Sequence, residues 1–283
     1  MQEKKYVFPI GKMAKILQVS ERGYYAYVDR KISAREKENQ KLLDLIWQIY
    51  QEGRCMYGSP RVHGKLCRLG ISCSRKRVAR LMKNHGIQAK MRKSWKRTTK
   101  QGKRAAFANL VKQEFTVAFP NQTWVSDITY VKTREGWLYV SAILDLFSRK
   151  VVGLSMGERL DTCLVKKAFA QALCHRSPPK GLIHHSDRGC QYTSEEFEKL
   201  AKENGIILSM SSAGNCYDNA VAESFFHTLK TEHVYQEKCI TREEAKRSIF
   251  EYIEVFYNRK RAHSFLGYLS PEEFEQNSSK QAV

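Results

Sequence analysis

Three carboxylates and one lysine lie in sequence contexts that suit chemistry on a phosphate ester. Asp127 lies in the apolar, β-branched run W-V-S-D-I-T-Y-V, and Asp187 follows an apolar run in G-L-I-H-H-S-D-R-G. Glu223 lies in the helix-like pattern A-V-A-E-S-F-F-H-T-L-K, with 35 residues between it and Asp187, and Lys230 follows seven residues later. Because an α-helix turns by about 100° per residue, Glu223 and Lys230 share one helix face. The pattern predicts two aspartates on strands and a helical glutamate, with the lysine pointing the same way as the glutamate.

A group of three carboxylates suits metal-assisted phosphodiester chemistry. The uncatalysed reaction is very slow, so a catalyst must stabilise both the attacking and the leaving oxygen. Two divalent ions about 3.5–4 Å apart can do this, and hard cations such as Mg²⁺ take carboxylate oxygens as ligands. Without cations the carboxylates would repel one another, which would raise at least one pKa. We therefore predict that Asp127, Asp187 and Glu223 hold two Mg²⁺ or Mn²⁺ ions and that Lys230 contacts a phosphate.

Acidic residues with no chemical role are an alternative at each position, since the chain contains 29 aspartates and glutamates. Asp145 also lies in an apolar strand-like run, S-A-I-L-D-L-F-S-R-K, and Asp218 lies close to Glu223. Either residue could be a fourth acidic participant. A strand-end or turn role is the favoured prediction for both.

Four motifs in this order give the chain a family resemblance: W-V-S-D-I-T-Y, H-S-D-R-G-C-Q-Y, G-N-C-Y-D-N-A-V-A-E-S-F-F-H-T-L-K and Y-N-R-K-R-A-H-S-F-L-G-Y-L-S-P-E-E-F. They resemble the second-reading-frame product of bacterial insertion sequences of the insertion-sequence-three group, a family of transposases in the retroviral-integrase superfamily. The resemblance covers nearly the whole chain. It implies that Asp127, Asp187 and Glu223 are the catalytic triad and that Lys230 is the family's basic residue seven positions after the glutamate. Cys190 departs from the pattern, because the family often has serine there.

The resemblance implies a DNA transposase that binds mobile-element ends, cleaves a strand with water and joins the resulting 3′-hydroxyl to another phosphodiester. The expected partners are double-stranded DNA, further copies of the chain on that DNA, and an upstream-frame protein or a fusion with it. Two other functions remain open. The chain could be a non-catalytic DNA-binding regulator of transposition, or a ribonuclease-H-like nuclease with the same carboxylates.

The charge of the chain is concentrated at one end. The 283 residues include 49 Lys and Arg against 29 Asp and Glu, a net charge of +20. Residues 1–120 contain 28 basic and 8 acidic residues, whereas residues 121–283 contain 21 of each. A strongly basic part joined to a neutral part predicts that the basic part holds nucleic acid.

Composition also bounds the location of the chain. No apolar run approaches 18 residues and the N-terminus has no secretory pattern, so neither export nor membrane insertion is expected. The eight cysteines include no C-x-x-C pair, which predicts reduced thiols rather than a zinc module. The expected location is the bacterial cytoplasm, in association with the nucleoid.

In two segments of the basic part, the spacing of apolar and helix-capping residues is typical of a helix-turn-helix. In the first, Met13, Ile16 and Leu17 have helical spacing, and Ser20 is a candidate N-cap. In the second, a helix is expected to open with Ser59 as its N-cap and Pro60 as its first residue, and to end at Gly70. Its apolar stripe is Val62, Leu66 and Leu69.

A basic helix is predicted to follow, with Ser74 as its N-cap and Gly86 at its end. Val78, Leu81 and Met82 are expected to face the core. The outward cations, predicted to contact DNA, are Arg75, Lys76, Arg77, Arg80 and Lys83. The alternative is a solvated basic face.

Residues 90–104, which include Lys96 and Arg97, contain 8 cations in 15 positions and are expected to follow DNA phosphates or to form a tether.

From residue 121 the pattern predicts strands and helices in the order β-β-β-α-β-α-β-α. This order fits an α/β fold, a ribonuclease-H-like core with a mixed five-stranded sheet and flanking helices, preceded by an all-α helix-turn-helix region. Thr241 and Glu244 form a capping-box pattern for a C-terminal helix, and the basic tail at Arg259, Lys260, Arg261 and His263 is expected to contact DNA or to cap that helix.

The expected domains are a first helix-turn-helix-like segment (1–35), a second, DNA-binding one (36–88), a basic linker (89–120), the catalytic core (121–240), and a C-terminal helix and tail packing on the core (241–283).

Overall fold

A computed structural model describes residues 1–90, 107–212, 216–237 and 241–281. The chain divides into two compact units, Met1–Trp47 and Gln48–Val283. The predicted basic linker positions Lys96 and Arg97 lie outside the described residues. None of the helices in the described ranges combines the length and the apolar character that a membrane crossing needs.

The N-terminal helices are α1 (Ile10–Ile16), α2 (Glu21–Val28), α3 (Ala34–Glu52), α4 (Ser59–Arg68) and α5 (Arg75–Asn84). The predicted N-cap of α2 is confirmed, because the Ser20 hydroxyl accepts the Gly23 N–H at 2.9 Å. The helix predicted around Met13 and Ile16 is present as α1, in which Ala14 is buried while Ile16 and the C-cap residue Leu17 are exposed.

Helices α4 and α5 form the predicted second helix pair. Val62 and Leu66 are fully buried, but the prediction for Leu69 is wrong, because its side chain is 62% exposed. Leu69 is the C-cap of α4 and Gly70 follows it with φ +75°, so the backbone leaves the helix before Leu69 can complete the stripe. The N-cap of α4 is Gly58 rather than the predicted Ser59.

The core of the second unit is built on five strands: β1 (Thr123–Thr133), β2 (Gly136–Asp145), β3 (Val151–Gly157), β4 (Ile183–Ser186) and β5 (Ile207–Met210). They lie in the order β3-β2-β1-β4-β5. β1 pairs with β2 and β2 with β3 in antiparallel fashion, whereas β1 pairs with β4 and β4 with β5 in parallel. The predicted mixed five-stranded sheet is confirmed.

Five more helices complete the second unit: α6 (Thr162–Arg176), α7 (Glu195–Glu203), α8 (Ala220–Leu229), α9 (Arg242–Glu251) and α10 (Pro271–Gln281). Wider π-helical turns prolong two of them, Lys230–Val234 after α8 and Tyr252–Tyr257 after α9. The predicted capping box is confirmed, since Thr241 and Glu244 bond each other's backbone N–H at the start of α9.

The two faces of the sheet are covered by different helices. Side chains of a strand alternate between faces, so Trp124 and Ile128 of β1 share one face while Val125 and Asp127 share the other. Trp124 packs edge-on against Phe169 of α6, with ring centroids 6.5 Å apart. Helix α8 contacts β1 and β2, and residues after α8 and from α9 surround Val131. We call the side that carries Asp127 the α8 face and the opposite side the α6 face.

A buried ion-pair network joins α4 to the core. Glu232, on the π-helical turn after α8, accepts Arg61 Nη1 at 2.9 Å and Arg261 Nε at 2.7 Å. The Tyr252 hydroxyl also donates to Glu232, at 3.0 Å. Burial alone would raise the pKa of Glu232, but the hydrogen bonds and charges of Arg261 and Arg61 outweigh it and lower that pKa to about 2. The predicted alternatives for Arg261, a DNA contact or a helix cap, are therefore both wrong, because its side chain is committed to this pair.

Two close contacts extend the same interface. The Tyr57 hydroxyl accepts the Ala262 N–H at 2.7 Å. Gly64 of α4 lies so close to Tyr268 that an added Cβ would come within 2.3 Å of the ring. The α4–α5 pair is thus seated on the C-terminal segment of the core.

The network gives a first prediction. Glu232→Gln keeps the shape of the side chain but leaves two guanidinium groups without their anion, so we expect it to lower the free energy of unfolding by about 3–5 kcal/mol at pH 7. Because the folded-state pKa is depressed, this stabilisation is present above the unfolded pKa near 4.5 and is lost as the pH falls towards about 2. Denaturant unfolding of both proteins across that pH range measures it.

The matched control is Glu251→Gln, which removes the exposed partner of Arg54. It should cost less than about 1 kcal/mol. If Glu232→Gln and Glu251→Gln lowered the free energy of unfolding equally, the buried network would be no more important to stability than an exposed ion pair.

Candidate active site

Asp127 lies on β1, and Asp187 follows the end of the neighbouring strand β4. The parallel pairing of β1 and β4 ends with Val125 opposite His185; Asp127 comes two residues later on β1, and Asp187 comes two residues after His185, one residue beyond β4. Because side chains alternate along a strand, Asp127 points to the α8 face. Burial raises the pKa of the Tyr192 hydroxyl, and the charges of Asp187 and Asp127 both raise it further. One buried side chain therefore lies within electrostatic reach of both aspartates.

A tight turn holds Asp187 just beyond the end of β4. Its Oδ1 accepts the Gly189 N–H at 3.0 Å, and the Tyr192 N–H donates to the Gly189 carbonyl at 3.0 Å. A Cβ on Gly189 would lie 3.0 Å from that same Oδ1, so the turn leaves little space for a side chain there. Arg188 Nε donates to the Ser211 carbonyl at 2.8 Å, which ties the turn to the end of β5.

Two buried histidines precede this turn. His185 contacts the hydroxyls of Ser209 at 2.9 Å and Ser211 at 3.3 Å, so its ring links β4 to β5. His184 packs among aromatic rings on the α6 face, and burial, then the neighbouring His185, lower its pKa to about 3. His184 is therefore an uncharged core residue at neutral pH.

Helix α8 carries Glu223 over the strand that carries Asp127. Asn219, at the N-cap position of α8, donates from Nδ2 to the carbonyl of Ser126 at 3.0 Å, and this bond is buried. Four residues further along α8 is Glu223, on the same helix face as Asn219 and about 6 Å along the axis. Glu223 is half-buried, whereas Asp127 is buried and Asp187 is exposed.

Lys230 lies where α8 passes into the π-helical turn. Its ammonium is 4.8 Å from the centroid of the Tyr130 ring, three residues beyond Asp127 on β1. Lys230 therefore lies beside β1, the strand that carries Asp127.

The donor set fits a hard divalent cation in its chemistry, because Asp127, Asp187 and Glu223 all supply carboxylate oxygens. Within the described residues, however, no group of three or more His, Cys, Asp or Glu side chains is arranged to hold an ion. Asp127 and Asp187 both lie within electrostatic reach of Tyr192, and Glu223 lies on α8, which packs on β1. The roles of the three carboxylates stay predictions.

The two further acidic candidates have structural partners. Asp145 is fully buried at the end of β2, where it accepts the Asn121 N–H at 2.8 Å and the Phe147 N–H at 2.9 Å, and pairs with Arg176 at 3.0 Å. Asp218 accepts the Ser212 N–H at 2.8 Å. Burial raises the pKa of Asp145 despite these partners. Asp145 and Asp218 thus bond to backbone N–H groups, as expected for the strand-end or turn role predicted for them.

The predicted DNA-binding cations of α5 lie mainly on its surface. The Ser74 hydroxyl caps the helix by accepting the Arg77 N–H at 3.2 Å. Arg75, Lys76, Arg80 and Lys83 are exposed, but Arg77 is half-buried and so differs from the outward orientation predicted for it. Arg77 is one residue before the buried Val78, which turns it partly towards the interior. Four of the five cations remain accessible to a polyanion.

Sequence reasoning missed Asn219 and Tyr192, although both lie within motifs that it singled out. Their positions, four residues before Glu223 and five after Asp187, were the available signal. Neither asparagine nor tyrosine indicates a catalytic role by its type alone. Only the fold shows that Asn219 bonds to β1 and that Tyr192 lies within electrostatic reach of the two aspartates.

Comparison with known proteins identifies the class of protein to which the chain belongs. Residues 118–216 and 223–278 each match an integrase core domain, and residues 37–95 match an HTH-like domain. The chain is 41% identical over 272 residues to the insertion element IS600 31 kDa protein of Shigella sonnei, covering 96% of this chain and 100% of that protein. It is 38% identical over 274 residues to the transposase InsF of insertion sequence IS3A from Escherichia coli K12, covering 96% of this chain and 95% of that one.

Among solved structures, the catalytic core domain of BIV integrase aligns with a TM-score of 0.44 and 22% identity, over 57% of this chain and 98% of that chain. An integrase core preceded by an HTH-like domain defines the class as a DNA transposase, a polynucleotidyl transferase. The chain belongs to the IS3 family of insertion-sequence transposases, as its motifs predicted. The regulator and nuclease alternatives find no support in these relatives.

The structural role of Asp145 gives a second prediction. Each of its carboxylate oxygens accepts a backbone N–H, so in Asp145→Asn one of these N–H groups must face an amide NH₂. We expect a loss of about 2–3 kcal/mol in unfolding free energy. Glu196→Gln, on the exposed surface of α7, should leave the unfolding temperature unchanged. An Asp145→Asn variant of normal stability that no longer cleaves DNA would instead make Asp145 a fourth active-site acid.

Proposed function

We propose that this transposase binds the ends of its mobile element and catalyses metal-dependent strand cleavage and strand transfer, with Asp127, Asp187 and Glu223 as the ligands of two Mg²⁺ or Mn²⁺ ions. The observation that supports this most is that Asp127 and Asp187 both lie within electrostatic reach of the buried Tyr192, while α8, which carries Glu223, packs on β1. Carboxylates gathered in one region have their charges compensated when cations bind.

The chain's own residues would orient the reacting groups. When bound, the two ions would activate the attacking oxygen and stabilise charge on the leaving oxygen. Asp187 is oriented by the Gly189 N–H, and Asp127 by the Ile128 N–H at 2.8 Å from its Oδ1. Lys230 would hold a phosphate near the scissile bond as a compact positive charge. Water and the 3′-hydroxyl serve as nucleophiles in turn, so no covalent protein–DNA intermediate is needed.

DNA binding is assigned to the basic part of the chain. The surface of α5 offers Arg75, Lys76, Arg80 and Lys83 to the groove or the phosphates. Lys96 and Arg97 of the linker would follow the DNA backbone. We further propose that several copies assemble on DNA, that an upstream-frame protein or a fusion with it completes the transposase, and that the protein acts at the nucleoid in the cytoplasm.

The carboxylates provide the direct test. Asp127→Asn, Asp187→Asn and Glu223→Gln should each abolish cleavage and joining of a labelled element-end duplex in Mg²⁺, as EDTA does for the unchanged protein. Because the three act as one unit, double variants should lose little more than single ones. Binding of the duplex, measured by gel shift, should persist in all of them.

Glu198→Gln is the control, since it removes an exposed carboxylate of the same core on α7. It should cleave and join normally. Near-normal joining by any one of the three site variants would remove that residue from the site.

The cations of α5 give a separate prediction for the full-length chain. Arg75→Ala or Arg80→Ala should reduce the preference for element ends over scrambled duplex by about 1–3 kcal/mol, as expected for arginines that reach base edges. Lys83→Ala should weaken binding to both duplexes alike and flatten the log–log salt dependence by about one unit. Lys199→Ala, a control on α7, should change neither. Equal losses on both duplexes for every α5 variant would show that the helix contacts phosphates only.

A further inference from the structure

Two large aromatic side chains stand exposed on the strand that carries Asp127 and on its neighbour. Tyr130 of β1 is 47% exposed and Trp137 of β2 is 45% exposed. Their rings meet edge to face, with centroids 5.0 Å apart and an interplanar angle of 84°. Lys132, opposite Trp137 in the sheet, is also exposed. We call Tyr130, Trp137 and Lys230 the aromatic platform.

The rings of Tyr130 and Trp137 lie on the α6 face, beyond the core that this face covers. Tyr130 is three residues from Asp127, so the two side chains point to opposite faces of β1. The buried cluster around α6 reaches Trp124 and Ile128 of β1 and includes neither platform ring. The rings are accordingly open to a ligand on the surface.

An open strand edge connects the platform to the carboxylates. The pairing of β1 with β4 ends at Val125, so within the described residues β1 has no strand partner on that side beyond this point. Lys230 belongs to the helix of the α8 face, yet its ammonium lies 4.8 Å from the centroid of the Tyr130 ring. A bound polymer that passes around this edge of β1 could therefore place its backbone near Asp127 and one of its side groups on the Tyr130 ring.

The chemistry of the platform favours an unpaired nucleobase. Aromatic rings beside a cation stack on bases of any sequence, while the cation meets the phosphate backbone. A base inside a duplex is already stacked on both sides and cannot reach a ring on a protein surface. Three residues of strand span about 10 Å, which corresponds to about three steps of 3.4 Å along one DNA strand.

We propose that the aromatic platform binds an unpaired nucleobase within about three nucleotides of the phosphate held at Asp127 and Asp187. This inference rests on the proposed function, because it takes those carboxylates as the site of cleavage. The platform stacks the base, and Lys230 holds the adjoining phosphate. The platform therefore favours a DNA end whose last pairs are already open over a fully paired end.

The test uses the full-length chain with the Asp127→Asn substitution, so that no DNA is cleaved during the measurement. The probe is a duplex with 2-aminopurine at the 3′ end, either fully paired or with its last three pairs mismatched. Fluorescence of this base falls when it stacks on an aromatic ring. We expect the mismatched probe to be quenched and to bind more tightly than the paired one.

Tyr130→Ala or Trp137→Ala should lower affinity for the mismatched probe by about 5- to 150-fold and leave affinity for the paired probe within about twofold. Tyr130→Phe, which keeps the ring, should restore both quenching and affinity. Phe250→Ala is the matched control, because it removes an exposed aromatic side chain from α9. It should behave like the parent.

Equal quenching with both probes, or unchanged affinity after Tyr130→Ala and Trp137→Ala, would overturn the proposal. Cleavage assays with otherwise unchanged protein separate this failure from failure of the proposed function. If cleavage in Mg²⁺ is normal but no stacking occurs, the platform is refuted and the function stands. If stacking occurs but no cleavage in Mg²⁺ is found, the carboxylate assignment fails, and with it the placement of the platform beside the scissile phosphate.

Discussion

The buried pairing of Glu232 with Arg61 and Arg261 is the constraint on which the arrangement of the second unit depends. Glu232 lies on the helical continuation of α8, Arg61 on α4, and Arg261 in the C-terminal segment. Removing these ions from water is costly, so a buried network of this kind adds little net stability over apolar packing, while loss of one member is strongly destabilising. Its effect is therefore to fix one arrangement of the three segments.

That arrangement has consequences at both ends of α8. At its start, Asn219 bonds to β1 beside Asp127, and at its end the Glu232 network seats α4, which precedes the basic helix α5. The helix that carries Glu223 and Lys230 is thus held between the strand of the first aspartate and the helix pair proposed to hold DNA. A DNA duplex bound along α5 would meet the carboxylates in a constant geometry, which suits an enzyme that must cut at a defined position.

The sequence predicted those parts of the fold that depend on local patterns. Alternating and β-branched runs located all five strands, and Ser20, Ser74 and the Thr241–Glu244 pair marked helix starts that the structure confirms. The errors at Leu69 and Arg77 concern the exact end of a helix and the edge of its buried face, whereas the error at Arg261 has a distant cause. Arg261 resembled a basic tail residue because its partner, Glu232, is 29 positions away, and no periodicity could reveal the pair.

The residues of the candidate site were predictable from the sequence, but their arrangement was not. Motif resemblance identified the residues, whereas the place of Asp187 beyond the strand that pairs with β1 and the bond from Asn219 to β1 required the tertiary structure. The central claim is that Asp127, Asp187 and Glu223 bind divalent metal together. Fe²⁺ with ascorbate and peroxide cuts a polypeptide backbone next to the ion. We predict cuts close to all three residues that excess Mg²⁺ suppresses and that Asp127→Asn abolishes. Cuts elsewhere, or cuts that Mg²⁺ leaves unchanged, would contradict the account.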